Sequence, residues 1–547
     1  MRTVVLVKQI PRPDRIEFDE ETKSLKREGL PLVLNEYDRF ALSHALTLGG
    51  DVVAMTMGPP QAEEVLRECL MLGADRAVHL VDPTFALADT IGTSRTLARA
   101  IEREDPDLVL CGRKTLDSET WQVPPEVAAR LGWPSLTSAS KLVLDDGGLL
   151  VTRQTDDGDE TYRVTTPAVV SVSTLVPEGW RDGGSHIDVR TAADLGLDAK
   201  DVGQAGSPTR VLAVRDVSPE RAGVVVRRAD EAARLIRQLL EERTSEPTSW
   251  EKPERLGEQP GKNYDCWTCV ELRGGQPTRL SLELLAKGRE LAGKLGGRNV
   301  ALVLERANAP ELARLGAEVV VIADAGEYHP ENWAHALTEV LRSSRPHVLL
   351  IPASSRGREY GPQAAGTLEL GMTGGCVGLG IDRAGRLIQT KPAYGGNIVS
   401  VIMGSTTPQL ATVRPRMFEP LEPREGEADV RFIELGDLPE PRANLVERGP
   451  ASDDWRIDEA DVVVGVGNNA AIPETNGAVV VPISKIGLLG RHIAPRLYVA
   501  VDAPGGFEHH TGTVKAGVIA AVRSNPLIPA DVRFEGDPEA LLRALAL

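Results

Sequence analysis

The sequence has little of what a nucleic-acid binder, a secreted domain or a membrane protein needs. Lys and Arg number 62 against 79 Asp and Glu, a formal net charge of -17. Phosphate attraction requires a basic surface, so general binding to nucleic acid or to an anionic membrane is excluded. The acidity fits either a solvated surface or contact with basic patches on a protein partner. No stretch approaches the ~20 apolar residues of a membrane span. Five cysteines stand in 547 residues, at 69, 111, 266, 269 and 376, too scattered for a disulfide framework. Cys266 and Cys269 form a C-x-x-C, but zinc normally takes four ligands and no second Cys/His pair has matching spacing. The pair lies in a strand-like run that would send its side chains to opposite faces, so a structural role is expected and no metal site. Met1 leads straight into an apolar run with no basic n-region, and a soluble, cytoplasmic protein is expected. No catalytic dyad stands out, so no catalytic residue is assigned.

What is present is ordinary globular composition, 41% hydrophobic and 26% charged, in a chain long enough for about three or four domains. The N-terminal third alternates short apolar runs (RTVVLVKQ, DVVAMTM, RAVHLV, DLVLCG) with amphipathic helical patterns (QAEEVLRECLMLG, TSRTLARAIERE). Such alternation predicts a mostly parallel sheet covered on both faces. The run from Leu142 to Ser173 then reads as strands joined by Gly-containing turns, an antiparallel extension. The middle of the chain repeats the plan with WTCVEL, NVALVL, VVVIAD and HVLLIP as strands, so a whole domain is duplicated. Residues 245–265 and 421–453, rich in Pro, Gly and charge, read as a linker and a hinge. A last α/β unit, 454–547, closes with a helix whose N-cap would be Asp537 with Pro538 at N1.

Several long segments carry a resemblance. In the first half they are VVLVKQIP (4–11), REGLPLVLNEYDRFAL (27–42), MGPPQAEEVLRECLMLGADRAVHL (57–80), ADTIGTSRTLA (88–98), LVLCGRKTLDSETWQV (108–123) and TAADLGLDAKDVGQAGSPTRV (191–211). In the second half they are WTCVELRGG (267–275), SSRGREYGPQAAGTLELGMTGGCVGLGID (354–382), QTKPAYGGNIVSVI (389–402) and QLATVRPRMFEP (409–420). The first set resembles the beta subunit and the second the alpha subunit of electron transfer flavoproteins, fused beta first. The resemblance implies an α/β fold class. Two duplicated Rossmann-like domains of the adenine-nucleotide alpha-hydrolase type would occupy 1–244, with a C-terminal arm, and 266–420. A C-terminal α/β FAD-binding-type domain would follow.

It also implies two nucleotide sites. In the beta-type site, Asn35, Asp89, Thr90, Thr93, Asp117, Glu119 and Gln122 fall in loops after strand C-termini, where nucleotides bind, and supply groups suited to ribose and phosphate. Taken singly, each is also what a cap or turn would use. The family places AMP or a second FAD there, and the stretch Ala88–Ser94 looks like the FAD-holding group. In the alpha-type FAD site the pattern thins. The family's Gly-Gly-Arg-Gly is Val466–Asn469 here, with Asn468 at the arginine's place; its Ser-Arg is Val479–Val480; its Gln-Thr-Gly-Lys is Leu488–Arg491, which keeps Gly490 and Arg491. Gly505 and His509 stand at the flavin-facing loop, and Arg523 and Asn525 on the adenosine side. Hydrogen-bonding groups lost to leucine and valine make a divergent, weak or empty FAD site the expectation, with His509 supplying charge toward the flavin.

The resemblance implies an electron carrier rather than an enzyme with its own acid–base chemistry. It would take electrons from a flavin-dependent dehydrogenase and pass them to an acceptor protein, a membrane-bound quinone oxidoreductase being one docking partner in the family. Two alternatives stay open: an electron-bifurcating flavoprotein that oxidises NADH at a beta-site FAD, and a flavin-poor scaffold subunit of a larger redox complex. The family's partner-docking loop corresponds to residues 177–194, where Trp180 is an interface anchor or a buried packing residue.

Overall fold

The computed structural model describes residues 1–12, 18–19, 24–25, 30–145, 148–176, 179–216, 220–243, 248–256, 264–393, 398–451, 455–467 and 475–547. Asn468 and parts of the 245–265 linker lie outside the described residues.

Apolar runs of about five residues, buried on both faces, make the parallel strands; the polar faces of the intervening helices turn to solvent. The N-terminal sheet has ten strands in the order Ile187–Arg190, Arg76–Leu80, Asp51–Met57, Arg2–Leu6, Leu108–Gly112, Ala168–Val172, Ser135–Asp145, Gly148–Thr155, Gly158–Val164 and Ala443–Ala451. The first seven are mutually parallel and the remaining pairings are antiparallel, the extension expected from the turn-rich run. The middle sheet has seven parallel strands: Met372–Cys376, Gln409–Val413, Val348–Pro352, Cys266–Cys269, Asn299–Val303, Val319–Ile322 and Asp429–Phe432. Read from its other edge, this order repeats the seven parallel strands of the N-terminal sheet position for position. The duplication is therefore one of topology as well as of sequence. Cys266 and Cys269 are buried on opposite sides of the middle sheet, each within a different apolar cluster.

The two halves exchange strands. Thr209–Asp216, from the first half, pairs antiparallel with Ile398–Gly404 in the meander of the second. Ala443–Ala451, from the second half, pairs antiparallel with Gly158–Val164 in the meander of the first. The segment 421–453, read from sequence as a hinge, thus contributes two edge strands, because its short exposed runs find backbone partners only on distant sheets. The C-terminal sheet is all parallel and likewise borrows an edge. Val224–Val226 pairs with Val532–Phe534, and the helix Ala229–Glu242 packs its Ala232, Ala233 and Ile236 into the C-terminal core. The closing helix Pro538–Leu545 has the expected cap, Asp537 accepting from the Ala540 amide. Among the described residues no helix is long and apolar enough to cross a membrane.

A buried charge network seals the halves. The Glu359 carboxylate accepts from Arg153 (2.5 Å), the Tyr328 hydroxyl (2.6 Å) and the Thr137 amide (2.9 Å), while Arg153 also holds Glu160 at 2.9 Å. Burial opposes charge on Arg153, but Glu359 and its other partners hold the guanidinium firmly protonated. Removing one member would strand a buried charge. Glu359→Ala should therefore lower the unfolding free energy by about 3–5 kcal/mol in denaturant titrations, and a loss below about 1 kcal/mol would count against the network. The exchanged strands predict that cutting the chain within 245–263 leaves the two halves co-eluting in size-exclusion chromatography; separation at micromolar concentration would contradict this.

Candidate functional site

A cavity of about 350 Å³ opens where the three bodies meet. That volume is within the range of small-molecule sites. Its walls are strand-end loops, the positions where α/β sheets bind ligands. The first body brings Arg113, Lys114, Glu119 and Trp121 from the loop after Leu108–Gly112, and Asp156 and Asp157 from a hairpin turn. The middle body brings Glu271 and Arg273, then Ser354, Ser355, Arg356 and Arg358 from the loop after Val348–Pro352, and Arg414 after Gln409–Val413. The C-terminal body closes the cleft with Asp458, Glu459 and the segment Leu489–His492.

Glu119 is the hub of this junction. Its carboxylate lies 3.2 Å from Lys114 Nζ, 3.1 Å from Arg414 and 3.8 Å from His492 Nε2, and its backbone carbonyl accepts from Lys391 Nζ at 3.0 Å. Burial works against the charge, yet Lys114, with Arg414 and Lys391, holds the carboxyl well below the usual carboxylate range. Burial pushes Lys114 down to about 8 and Lys391 down to about 7, and keeps His492 neutral. Glu119 and Trp121 both have left-handed backbones (φ 47° and 64°), uncommon for residues with side chains. The loop is bent to turn these two side chains into the junction.

Most of the sequence-predicted residues of the beta-type site are engaged by the protein itself. Asn35 donates to the Lys114 carbonyl and accepts from the Leu116 amide, each at 3.1 Å, holding the 113–122 loop. Asp89 caps the helix Thr90–Glu104 through Gly92 and ties down Thr209 through its amide (2.8 Å) and hydroxyl (2.7 Å). Thr90 donates to Glu126 at 2.9 Å, Asp117 receives Lys8 Nζ at 2.6 Å, and Gln122 donates to the Met372 carbonyl of the middle body at 3.1 Å. Thr93 follows Asp89 in the first turn of that helix, its amide bonded to the Asp89 carbonyl. Of the seven, only Glu119 lines the cleft.

The C-terminal set divides. Gly490 and Arg491 line the cleft, where Arg491 pairs with Asp458 and lies 3.8 Å from Asp156. Arg523 is held by Asp502 at 2.7 Å, and Asn525 accepts from the Leu527 amide while its side chain packs against Gly505. His509 is buried and bonded through Nε2 to the Tyr498 hydroxyl at 2.8 Å. Burial, with His510 nearby, pushes its imidazole down to about 4, so at neutral pH it lacks the charge expected of it. These residues, with Val479 and Val480 packed in the C-terminal cores, offer no uncommitted cation to a pyrophosphate. The cleft fits an anionic dinucleotide better, since Arg113 Nε is buried there without a partner among the described residues. The leucines of the divergent segment also have an explanation. Leu488 is part of the first body's core, and the Leu489 carbonyl accepts from Tyr37 Oη at 3.0 Å and Arg113 at 3.1 Å. Trp180 is 39% exposed, which leaves its indole free of the core.

Arg113, Trp121, Arg358, Arg414 and His492 escaped the sequence reading. Their one signal was the matched placement of Gly-Arg-Lys after one strand and Ser-Ser-Arg-Gly-Arg after its duplicate, at 112–114 and 354–358. Beside the beta-type residues, Glu126 is fully buried and its carboxyl is pushed by burial up to about 8 from 4.5. A carboxyl raised on folding adds stability that is full below its unfolded pKa and is lost as pH rises through the folded value, about 1.4 kcal/mol per pH unit. Glu126→Gln should flatten the stability–pH profile between about pH 5 and 8 in denaturant melts. An unchanged slope would show that Glu126 is ionised in the fold.

Comparison with known proteins follows the same division. The electron transfer flavoprotein domain family matches residues 22–189 and 266–438, more than half of the chain. The electron transfer flavoprotein subunit beta of Thermoanaerobacterium thermosaccharolyticum is 38% identical over 238 residues, 41% of this chain and 92% of that protein. The caffeyl-CoA reductase-Etf complex subunit CarD of Acetobacterium woodii is 38% identical over 237 residues, 41% of this chain and 90% of that protein. The electron transfer flavoprotein subunit alpha of T. thermosaccharolyticum is 30% identical over 313 residues, 50% of this chain and 94% of that protein. The chain belongs to the electron transfer flavoprotein family, and its likeness to both subunits is what a beta–alpha fusion carries.

Proposed function

We propose that this chain is a one-chain electron carrier whose flavin seat is the cleft between the three bodies. The observation that carries the reading is the cleft itself, at the strand ends of the middle body and walled by cations of all three bodies. Flavin, when bound, accepts and releases electrons one or two at a time. Arg113, Arg358 and Arg414 would hold the negative dinucleotide, Trp121 would supply an apolar wall, and the Leu488–His492 segment would cover the site from water. A flavin-dependent dehydrogenase on one side and an acceptor protein on the other are the partners this role needs.

A second reading is favoured by the likeness to a subunit of a caffeyl-CoA reductase-Etf complex and by Ala88–Ser94: an NADH-oxidising carrier with FAD in the beta-type site too. The beta-type site of the simple carrier would hold AMP instead. Nucleotides released on denaturing the purified chain separate these outcomes by chromatography and absorbance. One FAD with one AMP is expected of the simple carrier; two FAD, with bleaching by NADH, would favour the second reading. Folded protein that releases no flavin and takes up none would overturn both and leave a scaffold subunit.

A further inference from the structure

The cations lining the cleft are not equally satisfied. Arg273 and Arg356 pair with Asp157 at 2.7 and 3.1 Å, Arg414 with Glu119 at 3.1 Å, and Arg491 with Asp458. Two guanidinium groups have no carboxylate among the described residues. The Arg358 side chain makes no hydrogen bond or ion pair there; its guanidinium lies over the Trp121 ring at 4.4 Å. Arg113 lies over the same ring at 4.9 Å. Among the described residues it donates to neutral oxygens alone, Tyr37 Oη at 2.6 Å and the Leu489 carbonyl at 3.1 Å, and its Nε is buried with no partner there. The nearest acids are committed elsewhere: Asp156 to the Ser355 amide at 2.7 Å and Asp458 to Arg491. Burial, with Arg414 and Arg113 close by, pulls Arg358 down to about 10 against the opposing field of Asp156 and Asp458.

A half-buried cation crowded by two others is unfavourable unless a negative charge arrives from outside. Stacking occupies the face of a guanidinium and leaves the N–H edge of Arg358 for a phosphate, which such an edge binds through two parallel hydrogen bonds; Arg113, its Nη2 engaged by Tyr37 and Leu489, adds its charge beside it. Two stacked guanidinium groups with no carboxylate in contact suit a dianion. A single carboxylate would neutralise half of them, whereas a phosphate group carries about -1.5 to -2. The left-handed backbone of Trp121 keeps the indole at the cleft wall as the platform for both arginines.

We propose that Arg113 and Arg358, stacked on Trp121, form a phosphate clamp that binds the phosphate or pyrophosphate group of a ligand entering the cleft. The clamp draws one arm from each duplicated half and none from the C-terminal body. It stands whether the phosphate belongs to a flavin or to another nucleotide.

The test uses the full-length chain, dialysed against high salt to release any bound nucleotide and returned to low salt. Inorganic pyrophosphate is titrated in, with tryptophan fluorescence and calorimetry as readouts. Saturable binding of one pyrophosphate per chain is expected. Arg358→Gln should weaken it at least tenfold, and Arg113→Gln likewise. Trp121→Phe should abolish the fluorescence change while calorimetry still detects binding. Arg306→Gln, which changes an arginine 94% exposed and far from the cleft lining, should leave the affinity unchanged. The Arg358 side chain makes no hydrogen bond or ion pair among the described residues, so its variant removes the clamp's charge without breaking one. Equal weakening by Arg358→Gln and Arg306→Gln, or no saturable binding, would overturn the proposal. FAD that competes with pyrophosphate would make the clamp part of the flavin seat. Pyrophosphate binding that FAD does not displace would uphold the clamp and sink the placement of flavin in the cleft.

Discussion

The reciprocal exchange of edge strands is the constraint on which the other features rest. A strand at the edge of a sheet offers a row of unpaired amides and carbonyls, and each half here gives its own edge to an arm of the other. The register of Thr209–Asp216 on Ile398–Gly404, and of Ala443–Ala451 on Gly158–Val164, fixes how the duplicated halves face one another. With that fixed, the loop after Leu108–Gly112 and the loop after Val348–Pro352 open toward a common space. Neither half alone would enclose it. The arm that continues from the first half then supplies Val224–Val226 as an edge of the C-terminal sheet, so the third body is tied to the first by backbone pairing as well as by chain connection.

Electrostatics decides what the shared space can hold. Bringing Lys114, Glu119, Lys391, Arg414 and His492 out of water costs solvation, and the cost is offset only because Glu119 serves several donors at once. The result is a junction with one strongly held anion and cations on every side. Ion pairing accounts for Arg273, Arg356, Arg414 and Arg491 within the protein, and stops short of Arg113 and Arg358. Those two guanidinium groups, stacked on one indole with no carboxylate in contact among the described residues, are the groups best placed to meet a ligand's negative charge.

Legibility in the sequence followed the range of the forces involved. Asp51–Met57, Val348–Pro352 and Val518–Val522 are short apolar runs bounded by turn residues, and local pattern is enough to find them. Duplication was visible for the same reason, since both copies carry the local pattern. Asp429–Phe432 and Ala443–Ala451 were read as hinge because they are exposed and polar, with Pro and Gly close by. What makes them strands is a partner more than a hundred residues away, and no local rule reports it. The candidate site divides in the same way. Asn35, Asp89 and Gln122 sit in the loops where polar residues were expected, but their polar atoms serve the loops and the contact between halves. Arg113 and Arg358 lie more than two hundred residues apart, and only the fold stacks them on one indole.

The divergence of the C-terminal body now has a physical cause. Leucine at 488 and 489 removes hydrogen-bonding side chains from a loop that, in the family's pattern, serves the flavin. Leu488 instead enters the core of the first body, a burial of the kind worth about 1.5–3 kcal/mol. Leu489 offers its carbonyl to Tyr37 and Arg113, so the loop is attached by an apolar plug and two hydrogen bonds. The residues that depart from the family's pattern are therefore the ones that dock this segment on the neighbouring body. Arg491 stays on the C-terminal side of the cleft, and Arg113, Arg358 and Arg414 stand across it on loops the strand exchange holds in place. Cations thus reach the cleft from all three bodies, most of them from the two duplicated ones.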